Sequence, residues 1–309
     1  MSCPNDHYSP SFFPPELDIK ERLLYNPYSL LFTLFSILWT LYVCTTIFFF
    51  FKKKHSLIIS VRPAYVIFYS AIGQHLMMLL YSLKMIIGPE YFPNFFDVWI
   101  LWFAMPLHFL PYPLRCFRYI LLYHLAKSDQ ESKIITKGSQ QPESALQTFW
   151  QKVLKFYKKY PRFKSDFCFS IVLWILVILI AFGGVFRTLN PRFCNQPGYY
   201  GFGTTYVYYS CSLAMFAVAS IVICFGIYFV KDINNEFRIT NEFIWILIIW
   251  IVCIVPYSIL GIVDCTKYSI PITIIGIVEC VASFLVSFGI PVQIAYLKNE
   301  DVLKKSLNI

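Results

Sequence analysis

The chain has 309 residues, of which 58% are apolar and only 14% charged, with a net charge of +9. That apolar share exceeds what the core of a soluble domain of this size needs, so a water-soluble globular fold is excluded and a lipid bilayer is the expected partner. The excess positive charge lies in connecting segments rather than on a basic folded domain, which argues against nucleic-acid binding.

Met1 to Asn26 is polar and lacks an apolar stretch with a cleavage site, so no cleavable signal is expected and the first apolar run serves as an uncleaved signal-anchor. Seven runs then follow, at about residues 28–51, 64–87, 98–125, 167–185, 205–230, 243–263 and 271–297, each near the ~20 apolar residues that cross the hydrocarbon core. Their length and uniform apolarity predict helices rather than barrel strands, because a helix satisfies every backbone N–H and C=O within its own segment. The expected fold class is all-α: a polytopic membrane protein with a seven-transmembrane helix bundle over 28–297, an N-terminal tail over 1–27 and a short tail over 298–309.

The connections alternate in basic charge. Lys52, Lys53, Lys54 and Arg62, the nine lysines and arginines from Lys127 to Lys164, then Lys231 and Arg238, and finally Lys298, Lys304 and Lys305 fall on one side. The other side holds only Lys20, Arg22, Arg187, Arg192 and Lys267. The positive-inside rule therefore predicts an extracellular N-terminus, a cytosolic C-terminus and multi-pass residence, with the plasma membrane as the expected location. The cytosolic segment 126–166 begins polar and Gly/Pro-punctuated. It then places Leu146, Phe149, Val153 and Phe156 at helical spacing opposite lysines, the pattern of a helix lying on the cytosolic leaflet or docking a partner.

Most of the ten cysteines fall inside the runs, where a thiol is a small apolar group. Cys194 and Cys265 lie on the oxidising side and are candidates for a bridge, with Cys3 as a competitor or a free thiol. The five histidines are scattered, and the chain has no metal-ligand spacing, nucleophile elbow or phosphate-binding glycine loop. No enzyme, catalytic residue, metal or cofactor is expected.

Ionisable groups inside the runs are costly unless they meet partners in the bundle interior. Glu279 sits near the middle of the last run, with Gln74, His75 and His108 as possible partners. In the third run Pro106, Pro111 and Pro113 invite a bend, and Arg115 and Arg118 follow on one face near the cytosolic end. Headgroup anchoring explains such arginines equally well as pairing with the acids of the connection before the sixth run, Asp232, Glu236 or Glu242.

That connection, "KDINNEFRITNEF", resembles the short third cytosolic loop of the seven-transmembrane proteins that carry a regulator of G-protein signalling domain in plants, fungi and protists. "LRCFRYILLY" resembles the Arg-rich end of the third span in the same group. The resemblance implies a receptor-like bundle working with a heterotrimeric G protein or its regulator. The segment after the seventh run, "KNEDVLKKSLNI", is too short for the regulator domain. The expected function is transduction of an extracellular signal, carried by a small molecule or short peptide, through helix rearrangement at the cytosolic face. The switch candidates are Arg115 or Arg118 against Glu242 or Glu236, with Pro256 as a flexure in the sixth run. A seven-helix transporter or channel for a small solute is the rival expectation.

Overall fold

The computed structural model describes residues 27–56, 59, 62–87, 99–134, 152–153, 155–157, 159–160, 165–188, 202–230, 239–264 and 269–297. Among them there is no strand. The helices are α1 Pro27–Lys52, α2 Ala64–Ile87, α3 Met105–Phe109, α4 Pro111–Ile134, α5 Asp166–Thr188, α6 Phe202–Val230, α7 Ile239–Asp264, α8 Ser269–Phe284 and α9 Ile290–Leu297. π-helical turns at Ile100–Ala104 and Leu285–Gly289 lead into α3 and α9.

Five of these segments are long and apolar enough to cross a membrane: Ser29–Lys52, Ala64–Ile87, Asp166–Gly183, Ile239–Val263 and the continuous Ile270–Leu297. α6 contributes a shorter apolar stretch, Ser212–Tyr228, and α4 carries too many polar residues to qualify on composition. The surface supports immersion in lipid. Leu34, Leu38 and Leu41 on α1, Leu179 and Phe182 on α5, Phe225 and Tyr228 on α6, and Trp245 and Val252 on α7 all stand exposed. Apolar side chains at this density around a whole bundle suit hydrocarbon and not water. Hydroxyls within α1 are absorbed locally: Thr33, Ser36, Thr40, Thr45 and Thr46 each donate to the carbonyl four residues earlier, which satisfies these donors within the helix.

The prolines act more selectively than their spacing suggests. Each π turn lies just before a proline, Pro106 or Pro291, where the missing N–H would break a regular ladder and the wider turn re-pairs the backbone through Met105 N–H to Ile100 O and Ile290 N–H to Leu285 O. The helix is interrupted at Leu110, and Pro111 and Pro113 then occupy the first turn of α4, where no intrahelical donor is required. Pro256 lies inside α7 without ending it.

α2 is the central helix and is far more buried than α1. It packs against α1, α3, α5 and α8, while α6 closes the bundle between α4 and α7. The largest core cluster joins α2, α3, α4, α6, α7 and α8 around the fully buried Trp250, which is edge-on to Phe109, Tyr112 and Phe216. Glycine permits a close backbone approach: a Cβ on Gly73 of α2 would come within 2.9 Å of the backbone of Leu107 and His108.

Two features of the 126–166 segment differ from expectation. α4 continues to Ile134, through residues read as a polar connection. In the helical stretch near residue 155, Val153 and Tyr157 pack against the cluster of Leu121, Phe169 and Leu173, while Phe156 is 45% exposed. The inward face is therefore Val153 and Tyr157, not Val153 and Phe156.

Candidate functional site

Among the described residues two buried polar clusters occupy the apolar bundle. The first lies at the end where α1 finishes and α2 begins. Glu242, in the first turn of α7, receives Arg62 Nε on Oε2 at 3.2 Å and Arg115 Nη2 on Oε1. Their side chains are nearly sealed from solvent, at 5% exposure for Arg62, 0% for Arg115 and 4% for Glu242. Arg115 is further enclosed by the rings of Phe243 and Tyr112, at 5.2 and 5.8 Å from its guanidinium carbon. One carboxylate thus ties Arg62, two residues before α2, to α4 and α7.

Arg118, three residues and nearly one turn on, turns away from Glu242. It meets Asp166 at the start of α5 at 2.8 Å, and the other Asp166 oxygen accepts the Ala64 N–H at 3.0 Å. The spacing of the two arginines places them on one side of α4, yet their partners sit on opposite neighbours, α7 and α5. Glu236 lies outside the described residues, as do Cys3, Cys194 and Cys265. Among the described residues Cys44, Cys116, Cys224, Cys253 and Cys280 form no disulfide, and no group of three potential metal ligands occurs.

The second cluster is mid-bundle. Of the three partners open to Glu279, His108 is the one in contact, with Nε2 at 2.8 Å from Oε1. Ser283 donates to the same oxygen at 2.8 Å, and Oε2 has the Cys280 thiol at 3.6 Å. Gln74 stays in the network without touching Glu279: its Nε2 donates to the Tyr112 hydroxyl at 2.6 Å and reaches Ser70 at 3.3 Å and Ser287 at 3.5 Å. Ser287 in turn donates to the Ser283 carbonyl at 2.7 Å. His75 is only partly buried, and its Nδ1 has no partner among the described residues.

The two clusters are joined through Tyr112, whose hydroxyl meets Gln74 and whose ring underlies Arg115. A polar path therefore crosses the core from Arg62 and Glu242, by way of Arg115, Tyr112, Gln74, Ser287 and Ser283, to Glu279 and His108. Beyond Glu279, on the side away from Glu242, a cleft opens between α2, α3, α6, α7 and α8, with the Tyr81 and Tyr257 hydroxyls 2.9 Å apart at its wall.

Sequence reasoning missed two participants, Arg62 and Asp166. Arg62 counts as one more basic loop residue until the fold brings it beneath α7. The one available signal is its position directly before Pro63 and a long apolar run, where a solvated charge would need no such rigid placement. Asp166 is the lone acid at the start of its run, a place favoured for helix N-termini in general and so uninformative about Arg118.

No protein-family description, no curated protein and no solved structure matches this chain.

Proposed function

We propose that the chain is a seven-span, receptor-like signalling protein whose resting state is held by the Arg62–Glu242–Arg115 cluster, with signal passed to a heterotrimeric G protein. In this reading α3 and α4 together form the third span and α6 the fifth, with the N-terminus outside and the Glu242 end cytosolic. The family resemblance of the segments around Arg118 and Glu242 supports the choice of partner. The observation that carries the proposal is the sharing of one buried carboxylate between α4, α7 and Arg62, just ahead of α2. Breaking a buried pair by removing one member costs about 3–5 kcal/mol, while a bias of about 1–3 kcal/mol suffices for allosteric coupling. A single charge change there is therefore large enough to reset the bundle. Pro256 allows the Glu242 half of α7 to swing as a unit once the contact opens.

A second reading, a transporter, draws on the His108–Glu279 pair, since an intramembrane acid and histidine at mid-depth suit a proton relay. Reconstitution of the full chain in vesicles separates the two. The receptor reading requires nucleotide exchange on an added G protein that rises in Glu242→Gln. Solute or proton flux, with no exchange on any G protein tested, would replace it with the transporter.

A further inference from the structure

The helical stretch near residue 155 sorts its side chains into three strips. Val153 and Tyr157 face inward, packed with Leu121 of α4 and with Phe169 and Leu173 of α5. At about 100° per residue, Phe156 and Tyr160 follow at the edge of that face. Their rings lie 5.2 Å apart and are 45% and 43% exposed. Lys152, Lys155 and Lys159 fall within an arc of roughly 60° beyond the rings, and all three are exposed. The Lys159 ammonium stands over the Tyr160 ring at 5.3 Å, so charge and aromatic surface are presented side by side. Among the described residues none of these lysines meets a carboxylate.

The stretch rests where α5 begins, at the end of the bundle where α1 finishes and α2 starts, since Asp166 accepts the Ala64 N–H. Lys52 and Lys54, at and just past the end of α1, are exposed there too. Long apolar helices end at headgroup depth, where aromatic rings and snorkelling lysines are favoured. Three cations beside two exposed rings call for an anion carried on an apolar body. A free phosphate would leave the rings in water, and a lipid of zero net charge would leave the excess positive charge uncompensated. α5 turns Phe167, Ile171 and Ile175 outward, so the rings adjoin surface suited to hydrocarbon, which favours a lipid over an acidic protein as the occupant. The site is a face, so no enclosed volume is required.

We propose that this face binds an acidic phospholipid, its anionic headgroup against Lys152, Lys155 and Lys159 and the start of its acyl chains against the Phe156 and Tyr160 rings. The proposal goes beyond the receptor reading and does not depend on it, since it needs only a bilayer around the bundle. Acidic lipids are concentrated in the cytosolic leaflet, so the site also favours the orientation that puts the Glu242 end inside. Because Val153 and Tyr157 rest on α4 and α5, a lipid held on the outer strips fastens the stretch to the same edge that the Arg118–Asp166 pair closes.

The test is photo-cross-linking of the full chain in phosphatidylcholine vesicles that carry a trace of radiolabelled phosphatidylserine or phosphatidylcholine, each with a diazirine near its headgroup. Cleavage after glutamate and aspartate releases the fragment 144–166 whole, and the label it carries gives the preference for one lipid over the other. The wild-type fragment should prefer phosphatidylserine. Lys152→Gln, Lys155→Gln and Lys159→Gln together should lower the preference at least about 5-fold, equivalent to about 1 kcal/mol, the worth of one lysine at an anionic surface. Phe156→Ser with Tyr160→Ser should lower it as well, with no change of charge. Lys52→Gln, Lys53→Gln and Lys54→Gln together, which remove the same charge from the end of α1, should leave it unchanged. An unaltered melting midpoint shows that each variant is folded. No preference for phosphatidylserine, a preference that survives loss of the three lysines, or one lost equally with the α1 lysines would overturn the proposal. Equal labelling by both lipids, with G-protein exchange lost in the Lys152, Lys155 and Lys159 variant, would assign the face to a protein partner instead.

Discussion

Glu242→Gln alters one charge in a cluster whose three side chains are at most 5% exposed. The glutamine oxygen can still accept one guanidinium N–H, but its NH2 group then faces the other arginine donor to donor, leaving two buried cations without an anion. The cost falls at the low end of the range for breaking a buried pair, about 3 kcal/mol, because one hydrogen bond survives. If the contact exists only in the resting state, that cost is charged to the resting state alone. Basal nucleotide exchange in vesicles should then rise by roughly 5- to 150-fold, the equivalent of about 1–3 kcal/mol. Spin labels at Phe117 on α4 and Trp245 on α7, both exposed, should report a larger separation between these helices. Arg115→Ala added to Glu242→Gln should change little further, since members of one network are not additive. Arg118→Ala, whose partner is Asp166, should add independently. A variant that melts earlier while exchange and label separation stay at wild-type values would show that the cluster only holds the fold together, and the switch would be refuted.

Gly73→Ala should destabilise the bundle by about 2 kcal/mol or more, because its Cβ meets backbone that cannot move aside; Gly183→Ala, with nothing within 4 Å, should melt with the wild type. Asp166→Asn should cost about 1–2 kcal/mol by weakening the contacts to Arg118 and to the Ala64 N–H, measured as a shift in denaturant midpoint. It should leave basal exchange unchanged. For orientation, an epitope tag between Glu131 and Glu143 should survive protease applied outside intact cells, and its cleavage would invert the proposed topology.

How much could be read in advance differs between the helices and the site. The helix starting at Ala64 and ending at Ile87, and the continuous helix ending at Leu297, are visible as uninterrupted apolar runs because lipid imposes a length and a composition on each segment separately. The third run was harder. Its prolines announce disruption, but whether a proline bends a helix, widens it to a π turn or merely opens the next one depends on which carbonyl is left without a donor. Pro106 and Pro111 show two of these outcomes within six residues.

The sequence alone determined that Glu279 needs a partner, since an ionisable group inside an apolar run carries a desolvation cost wherever the run ends up, and left Arg115 and Glu242 open between headgroup anchoring and pairing. It could not determine which partners. His108 lies 171 residues from Glu279, Arg62 lies 180 from Glu242, and Arg118 is separated from Arg115 by less than one helical turn yet pairs with a different helix. Helical period fixes the angle of a side chain about its own axis. Which neighbour fills that angle is decided by packing, and here by close approaches such as Gly73 against the Leu107 and His108 backbone. The need for charge compensation is therefore local and legible in the chain, whereas its geometry belongs to the bundle as a whole.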